Sequence, residues 1–485
     1  MSANHPTKEE AQSFAVKRAE VEFHNFASFG DPERVLAHYA KQNEGRGSVL
    51  EKHLEFLGEM SPFLEIGANA GHSSYMLANR FGAQGFALDI SSDSLRHGVA
   101  LKEIWGLKHE PIRVAGDALH LPFKDNSLKM VMAFQMLSQF MEIESVFLEV
   151  KRVLAPGGVF FFAEEPLRRL LTLRLYRCPY YDTMKPWERT LYDWGLLGYF
   201  VRDVIGAHQE ESFGIRQNHK MGLKDWHELI RKHFGAHEYQ VFVPERGWGE
   251  RVVKRLAIRL DQTQSEWRAA RLLGGTLAAM CRKGVSPDAS AAEPIDLAEP
   301  GFTRMLRCPD CSGDLVLNES RDLACASCTY RAPDESGVWN LLPSAEKSEL
   351  YPGDRSDIID FSIPGHERKL VGEWFELEGV YGNRYRWIGA RASAVLKPVK
   401  TTPQRLRIRG HASEGHHRVD LRAIVNGKEA ARWNLERPGL FVIETDLPDA
   451  ETYAIDLEAG PLWEVPTDDR RFTVSLSMIR LIDQP

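Results

Sequence analysis

After a polar start, the chain settles into a regular exchange of short apolar runs and amphipathic stretches. From about Phe14 to Gln240, runs such as FLEI, GFALD, SLKMVMAF and VFFFA alternate with segments whose apolar residues recur at helical spacing. Short continuous apolar runs predict buried strands, and their alternation with helices predicts an α/β unit around a parallel sheet. Residues 241–283 follow, where SEWRAARLLGGTLAAMCRK predicts a helix that closes this unit or bridges it to the next. The run SPDASAAEPIDLAEPG, 286–301, is poor in large apolar residues and reads as a linker.

Beyond residue 367 the period changes from helical to alternating. RLRIRG, RVDLRAIVNGKEAARW, GLFVIETDL, TYAIDLEAG and RFTVSLSMIRLI are short strands punctuated by Asn-Gly, Pro-Gly and Ala-Gly turns. That pattern predicts a C-terminal antiparallel β-sandwich over 367–485. Between the two units, at 302–345, lies the cysteine-bearing segment CPDCSGDLVLNESRDLACASC. A chain of 485 residues exceeds what one hydrophobic core usually serves, so several domains are expected: 14–283, 302–345 and 367–485.

Composition changes this picture little. With 43% hydrophobic and 27% charged residues and a net charge of -7, the chain gives no general electrostatic reason to bind nucleic acid or anionic lipid. The start MSANHPTKEEAQSF has neither the basic residues nor the apolar run of a secretory signal, and no apolar run is long enough to span a bilayer. A cytoplasmic location is the expectation, and it suits reduced thiols. Nothing in the sequence sets an oligomeric state.

The chemistry concentrates in three strand-end loops. In FLEIGANAG, Phe63–Ile66 is a strand, Gly67 and Gly71 relax the turn, and His72 to Arg80 form a helix whose N-terminal amides face the crevice. Glu65 stands at the strand end, able to meet an amino group. Asn69 occupies the middle glycine position, so this is not the dinucleotide fingerprint. Asp89 ends the next strand, GFALD, where a carboxylate can accept from both ribose hydroxyls. In AGDALHLPF, Asp117 can accept from an adenine amino group while Leu119 packs against the ring.

LEIGANAG, LDIS, GDALHLPF, the Val131–Phe134 strand and the VLAPGG turn before Val159–Ala163 together resemble a class I S-adenosylmethionine-dependent methyltransferase. The resemblance covers roughly 14–240. It implies a Rossmann-like fold, S-adenosyl-L-methionine as cofactor, and Glu65, Gly67, Asn69, Gly71, Asp89, Asp117 and Ala118 as its lining. The chemistry it implies is in-line transfer of a sulfonium methyl, in which the protein aligns the acceptor and excludes water.

On the acceptor side, Gln135 and Gln139 stand where many relatives carry a histidine pair. Glu164 and Glu165 leave the VFFFA strand directly and are candidate catalytic carboxylates, or alternatively solvated loop or helix-capping residues. His219, in the polar link before Leu223, is the candidate general base, with an ordinary loop histidine as its alternative. The aromatic insert containing Tyr180, Tyr181 and Trp187 is expected to cover an acceptor pocket.

Cys308, Cys311, Cys325 and Cys328 form two Cys-x-x-Cys knuckles joined by a predicted hairpin. Four thiolates suit tetrahedral Zn²⁺ in a closed, structural site, and metal binding would supply the folding energy that so small a segment lacks. The segment resembles zinc ribbons attached to methyltransferases and their activators, and it is expected to act as a spacer or docking module away from the reaction. The last unit resembles sandwich modules of bacterial glycan-assembly enzymes. That resemblance implies a small-molecule or glycan acceptor: a saccharide, a glycan precursor or a glycosylated metabolite. RNA or a nucleotide is the alternative acceptor, RNA being disfavoured by Asp310, Asp314, Glu319, Asp322, Asp334 and Glu335 around the knuckles; a non-catalytic binding or scaffold protein is the third reading.

Overall fold

The computed structural model describes residues 17–18, 21, 32–140, 142–167, 187, 221–242, 275–284, 297–298, 300–380, 383–413, 418–436, 438–465 and 468–484. Helix α1 (Pro32–Lys52) precedes an alternating series. It runs β1 (Phe63–Ile66), α2 (His72–Arg80), β2 (Gly85–Asp89), α3 (Ser92–Val99), β3 (Ile112–Ala115), β4 (Leu128–Phe134), α4 (Ile143–Val153) and β5 (Leu154–Leu167). Then come α5 (Leu223–His233), β6 (Ala236–Phe242) and β7 (Gly275–Arg282). Strands β1 to β5 pair in parallel, and β7 runs antiparallel between β5 and β6. β1 and β2 are buried at every position, which is why their sequences are continuously apolar rather than alternating.

The predicted helix over 265–283 is corrected here, because its second half, GTLAAMCR, is β7. Its residues 277–281 are buried on both faces, and burial of every position overrides the helical propensity of the Leu-Ala-Ala-Met run.

The sheet order is β11-β3-β2-β1-β4-β5-β7-β6. The outermost strand, β11 (Val338–Asn340), comes from the cysteine segment, with Val338, Trp339 and Asn340 paired in parallel to Arg113, Val114 and Ala115. Through this strand the cysteine-bearing segment is joined to the main sheet. Before β11 the segment forms a small antiparallel sheet of β8 (Leu315–Leu317), β9 (Leu323–Cys325) and β10 (Arg331–Ala332). One apolar core runs without interruption from Phe86, Val114 and Phe123 through Phe302, Leu306 and Cys308 to Leu323, Tyr330 and Trp339. Phe302 supplies the joint, its ring lying 6.4 Å from Phe86 and 5.2 Å from Trp339.

Helix α6 (Ser344–Leu350) leads on to the C-terminal unit. Its strands are β12 (Ile358–Asp360), β13 (Leu370–Val380), β14 (Asn383–Leu396), β15 (Gln404–Ala412), β16 (Val419–Val425), β17 (Lys428–Leu435), β18 (Gly439–Asp446), β19 (Tyr453–Gly460) and β22 (Val474–Asp483). A two-stranded ribbon, β20 (Trp463–Val465) with β21 (Asp468–Phe472), sits beside them. The nine strands make one antiparallel sheet, ordered β17-β16-β19-β14-β22-β15-β18 with β12 on β22 and β13 on β14. The predicted alternation is present: Leu421, Ala423 and Val425 on β16 and Ile455 and Leu457 on β19 point into one core.

The architecture is a near-barrel rather than two separate sheets. β14 and β22 pair with each other and carry the hydrogen bonding through the middle, while Thr445 Oγ1 on β18 reaches the Ala430 carbonyl on β17 at 3.4 Å. Among the described residues, no helix is long and apolar enough to cross a membrane.

Candidate cofactor crevice

The strand order reverses between β1 and β4, and in an open α/β sheet the crevice at such a switch point is where ligands bind. Three carboxylates gather at the adjacent strand ends. Glu65 on β1 is buried and accepts from Ser74 Oγ at 2.5 Å. Burial pushes its carboxyl up to about 7, against the opposing pull of Ser74 and Arg46.

The loop after β1 needs unusual backbone. Gly67 and Gly71 have φ of 68° and 73°, and Asn69 shares that left-handed region at 52°. A side chain at Gly67 would also collide with Met136, its Cβ falling 2.6 Å from Cγ. The turn aims the Asn69 N–H at Asp89 Oδ2 at 2.8 Å, while the Ser91 N–H takes Oδ1 at 2.8 Å. These contacts fix the Asp89 carboxylate at the end of β2 and leave each oxygen one lone pair for a ligand hydroxyl.

Asp117, after β3, is buried. Its Oδ1 accepts from the Leu119 N–H at 2.9 Å, and its Oδ2 accepts from Lys17 at 2.8 Å and His120 Nδ1 at 3.0 Å. Burial opposes ionisation, yet His120, Lys17 and the backbone N–H together hold the carboxyl below its usual range. Ala118 is buried and Leu119 partly so beside it.

Helix α1 closes the opposite wall with side chains that the sequence reading did not single out. Arg46, 5% exposed, makes a bidentate pair with Glu164 at 2.8 and 2.7 Å. Its Nη1 also reaches His72 Nε2 at 3.0 Å and Ser73 Oγ at 2.7 Å, and its guanidinium lies over the Phe134 ring at 4.1 Å. Arg46 can only donate, so His72 Nε2 accepts and the imidazole proton sits on Nδ1. Burial, with Arg46 beside it, holds His72 neutral well below its usual pKa. Tyr39 stacks on His72 with centroids 4.1 Å apart, and its hydroxyl faces Asn69 Oδ1 at 3.4 Å. Nothing local marked Arg46 in NEGRGS; its role depends on the packing of α1 against α2.

The candidate acceptor residues separate. Glu164, 31% exposed, has φ of 65°, a strained conformation for a residue with a side chain, and opens toward solvent from the Arg46 pair. Glu165 turns the other way. It is fully buried and accepts from the backbone N–H groups of Met136, Leu137 and Ser138 at 2.9, 2.8 and 3.1 Å. It thereby anchors the loop after β4, and burial raises its carboxyl to about 7 even against those three donors. His219, Tyr180 and Tyr181 lie outside the described residues, and Trp187 is half exposed.

Residues 64–162, spanning β1 to β5, match the model of a family described as "Methyltransferase domain". This part of the chain is a methyltransferase domain. Relatives of that domain include the chloroplastic tocopherol O-methyltransferase of Arabidopsis thaliana, 24% identical over 179 residues, which are 35% of this chain and 49% of that protein. The sterol 24-C-methyltransferase of Yarrowia lipolytica is 31% identical over 97 residues, 20% of this chain and 26% of that protein. The chain thus spans about half the length, or less, of the curated relatives it matches. Among solved structures, phosphoethanolamine N-methyltransferase 2 of Haemonchus contortus with S-adenosyl-L-methionine aligns at 16% identity and a TM-score of 0.31, covering 50% of this chain and 52% of that one.

The methyltransferase domain borrows a further wall from the segment after the cysteines. Tyr351 donates its hydroxyl to the Ile90 carbonyl at 2.7 Å and accepts from the Ser92 N–H at 2.9 Å, directly behind Asp89. The cysteines themselves converge. The sulfurs of Cys308, Cys311, Cys325 and Cys328 all lie within 4.8 Å of one another, with Cys308–Cys328 at 3.7 Å and Cys311–Cys325 at 3.5 Å. The two knuckles meet because β8 and β9 pair Leu315 with Cys325.

Proposed function

We propose that the protein is a methyltransferase that moves the methyl group of S-adenosyl-L-methionine to an oxygen of a small organic acceptor. The observation that carries this reading is the convergence of Glu65, Asp89 and Asp117 at three adjacent strand ends around the β1–β4 switch point. Glu65 meets the cofactor's ammonium, Asp89 its ribose hydroxyls and Asp117 its adenine amino group. Gly67, Asn69 and Gly71 let the backbone approach, and Ala118 and Leu119 flank the base. Relatives named for tocopherol, sterol and malonyl-[acyl-carrier protein] substrates support an organic acceptor for this chain.

In that role the cofactor supplies an electrophilic methyl, and the protein's part is alignment. Glu165 holds the loop after β4, with Glu164 the carboxylate presented to an incoming hydroxyl. Because Arg46 already grips Glu164 with two N–H groups, Glu164 orients that hydroxyl and stabilises developing positive charge more readily than it removes a proton. His219 is the proposed base for removing it.

The saccharide character of the acceptor is the finer part of the reading. It draws on Tyr385, Trp387 and Trp463, partly exposed rings within 6.1 Å of a neighbour in the C-terminal unit, which supply aromatic surface of the kind that packs against sugar rings, with buried Phe472 as their support. Zn²⁺ is the proposed occupant of the cysteine cluster. A Zn–S distance of about 2.3 Å requires sulfurs about 3.8 Å apart, close to the spacings of this cluster.

The deciding experiment is calorimetric titration of S-adenosylhomocysteine into the full chain and its Asp89→Ala variant. Loss of two charge-assisted hydrogen bonds lowers affinity about a hundredfold while thermal unfolding stays cooperative. Equal affinity in the two proteins overturns the assignment of Asp89. Label transfer from methyl-labelled cofactor to saccharide, lipid or RNA pools then sorts the acceptor class.

A further inference from the structure

The carboxylate assigned to the adenine amino group is already engaged by the chain itself. Of the about four lone-pair positions of a carboxylate, Asp117 has three in use, taken by Lys17, His120 and the Leu119 N–H. Asp117 is 2% exposed, and Lys17 covers it. The Lys17 ammonium has a second partner, Glu346 Oε1 on α6, at 2.8 Å. Val21, four residues after Lys17, packs with Leu342 just before that helix and with Leu350 at its end, a second contact between this part of the chain and the segment that carries Glu346. Two segments separated by 329 positions therefore close over one carboxylate.

We infer that Lys17 is a latch on the nucleobase edge of the crevice. In the free protein its ammonium bridges Asp117 and Glu346. The adenine amino group then takes its place on Asp117, and Lys17 remains on Glu346. The inference rests on the cofactor reading above and adds to it a residue that opposes binding.

The physical argument is one of shared charge. A single ammonium between two carboxylates satisfies both, so leaving Asp117 costs one ion pair while the other persists, and the flexible lysine stem allows the swing without backbone movement. Glu346 lowers the cost of opening by keeping the released charge partnered. Until the latch opens, the binding-competent form is a minority, and apparent cofactor affinity falls by that fraction.

Calorimetric titration of the full chain with S-adenosylhomocysteine tests this, using wild type, Lys17→Met and Lys17→Gln. Both variants lose the ion pairs and melt at lower temperature without ligand, yet both bind about tenfold tighter than wild type, the opposite of what a merely structural lysine would do. Lys17→Arg, which keeps the charge, stays near wild-type affinity. Equal or weaker binding by both Lys17→Met and Lys17→Gln, with wild type still binding, overturns the latch and leaves the cofactor reading intact. Absence of binding in wild type and every variant removes both. Binding that appears only when Lys17 is replaced supports the latch in its strongest form.

Discussion

Tyr351 donates its hydroxyl hydrogen to the carbonyl of Ile90 at 2.7 Å, joining positions 261 residues apart immediately behind the Asp89 carboxylate. The same oxygen accepts from the Ser92 N–H, so one phenol satisfies both backbone groups at the turn from β2 into α3. Tyr351→Phe leaves the Ser92 N–H and the partly buried Ile90 carbonyl without this partner, a loss of about 1–2 kcal/mol in stability. Urea unfolding measures that loss. Titration with S-adenosylhomocysteine will show weaker binding alongside it, because the turn carries Asp89. Unchanged binding would confine Tyr351 to a structural role.

Glu65 predicts how cofactor binding responds to pH. Its carboxyl is raised to about 7, so near neutrality a substantial share is protonated and poorly matched to a ligand ammonium. Affinity for S-adenosylhomocysteine therefore rises between pH 6 and 8 and binding releases protons, which calorimetry in buffers of different ionisation enthalpy detects. Glu65→Gln flattens that dependence and weakens binding. In the free protein the sign is reversed. A folded-state pKa above the unfolded value means that Glu65's contribution to stability is fully present below about 4.5 and is lost as pH climbs through about 7.

Arg46 and Glu164 form a bidentate pair whose arginine is almost wholly buried. Lysine cannot reproduce two parallel N–H donors while also meeting His72 and Ser73, so Arg46→Lys lowers stability by about 2 kcal/mol. Glu164→Gln, at a half-exposed position, costs about 1 kcal/mol. A double-mutant cycle in urea will give a coupling energy of about 1 kcal/mol or more if the pair acts as a unit.

Removing metal tests the cysteine cluster. Zinc released by a chromophoric chelator is expected at one ion per chain, with four thiols becoming reactive together. Because Trp339 lies on β11 and donates Nε1–H to the Arg321 carbonyl at 2.9 Å, its fluorescence will change as the segment loosens. The apparent Tm falls by about 10 °C or more, since metal affinity there is folding free energy.

The crevice was legible because its parts are local. Gly67, Asn69 and Gly71 sit in one turn, and Asp89 and Asp117 each end or follow an apolar run, so spacing alone orders them. Glu165 was legible as a strand-end carboxylate but not as a backbone anchor. Whether such a group faces an acceptor or three N–H donors depends on the fold of the loop after β4. Arg46, Lys17 and Tyr351 reach the site from distant segments, and no period or motif around them encodes that meeting.

The joining of β11 to β3 escaped for a related reason. Main-chain hydrogen bonds make the pairing, and VWN carries no side-chain signal naming Arg113, Val114 and Ala115 as its neighbours. Alternation in the last unit foretold strands correctly. It does not encode whether β14 and β22 bond to each other, and that is what separates one curling sheet from two stacked ones.

That borrowed strand has a practical corollary for anyone shortening the protein. Cutting the chain ahead of residue 300 would strip Val338–Asn340 from its seat and lay bare the peptide groups of Arg113–Ala115, with Phe86 and Phe123 losing Phe302 and Leu306 as cover. Such a fragment would keep every glycine and carboxylate of the crevice and still present a sticky flank to its own copies.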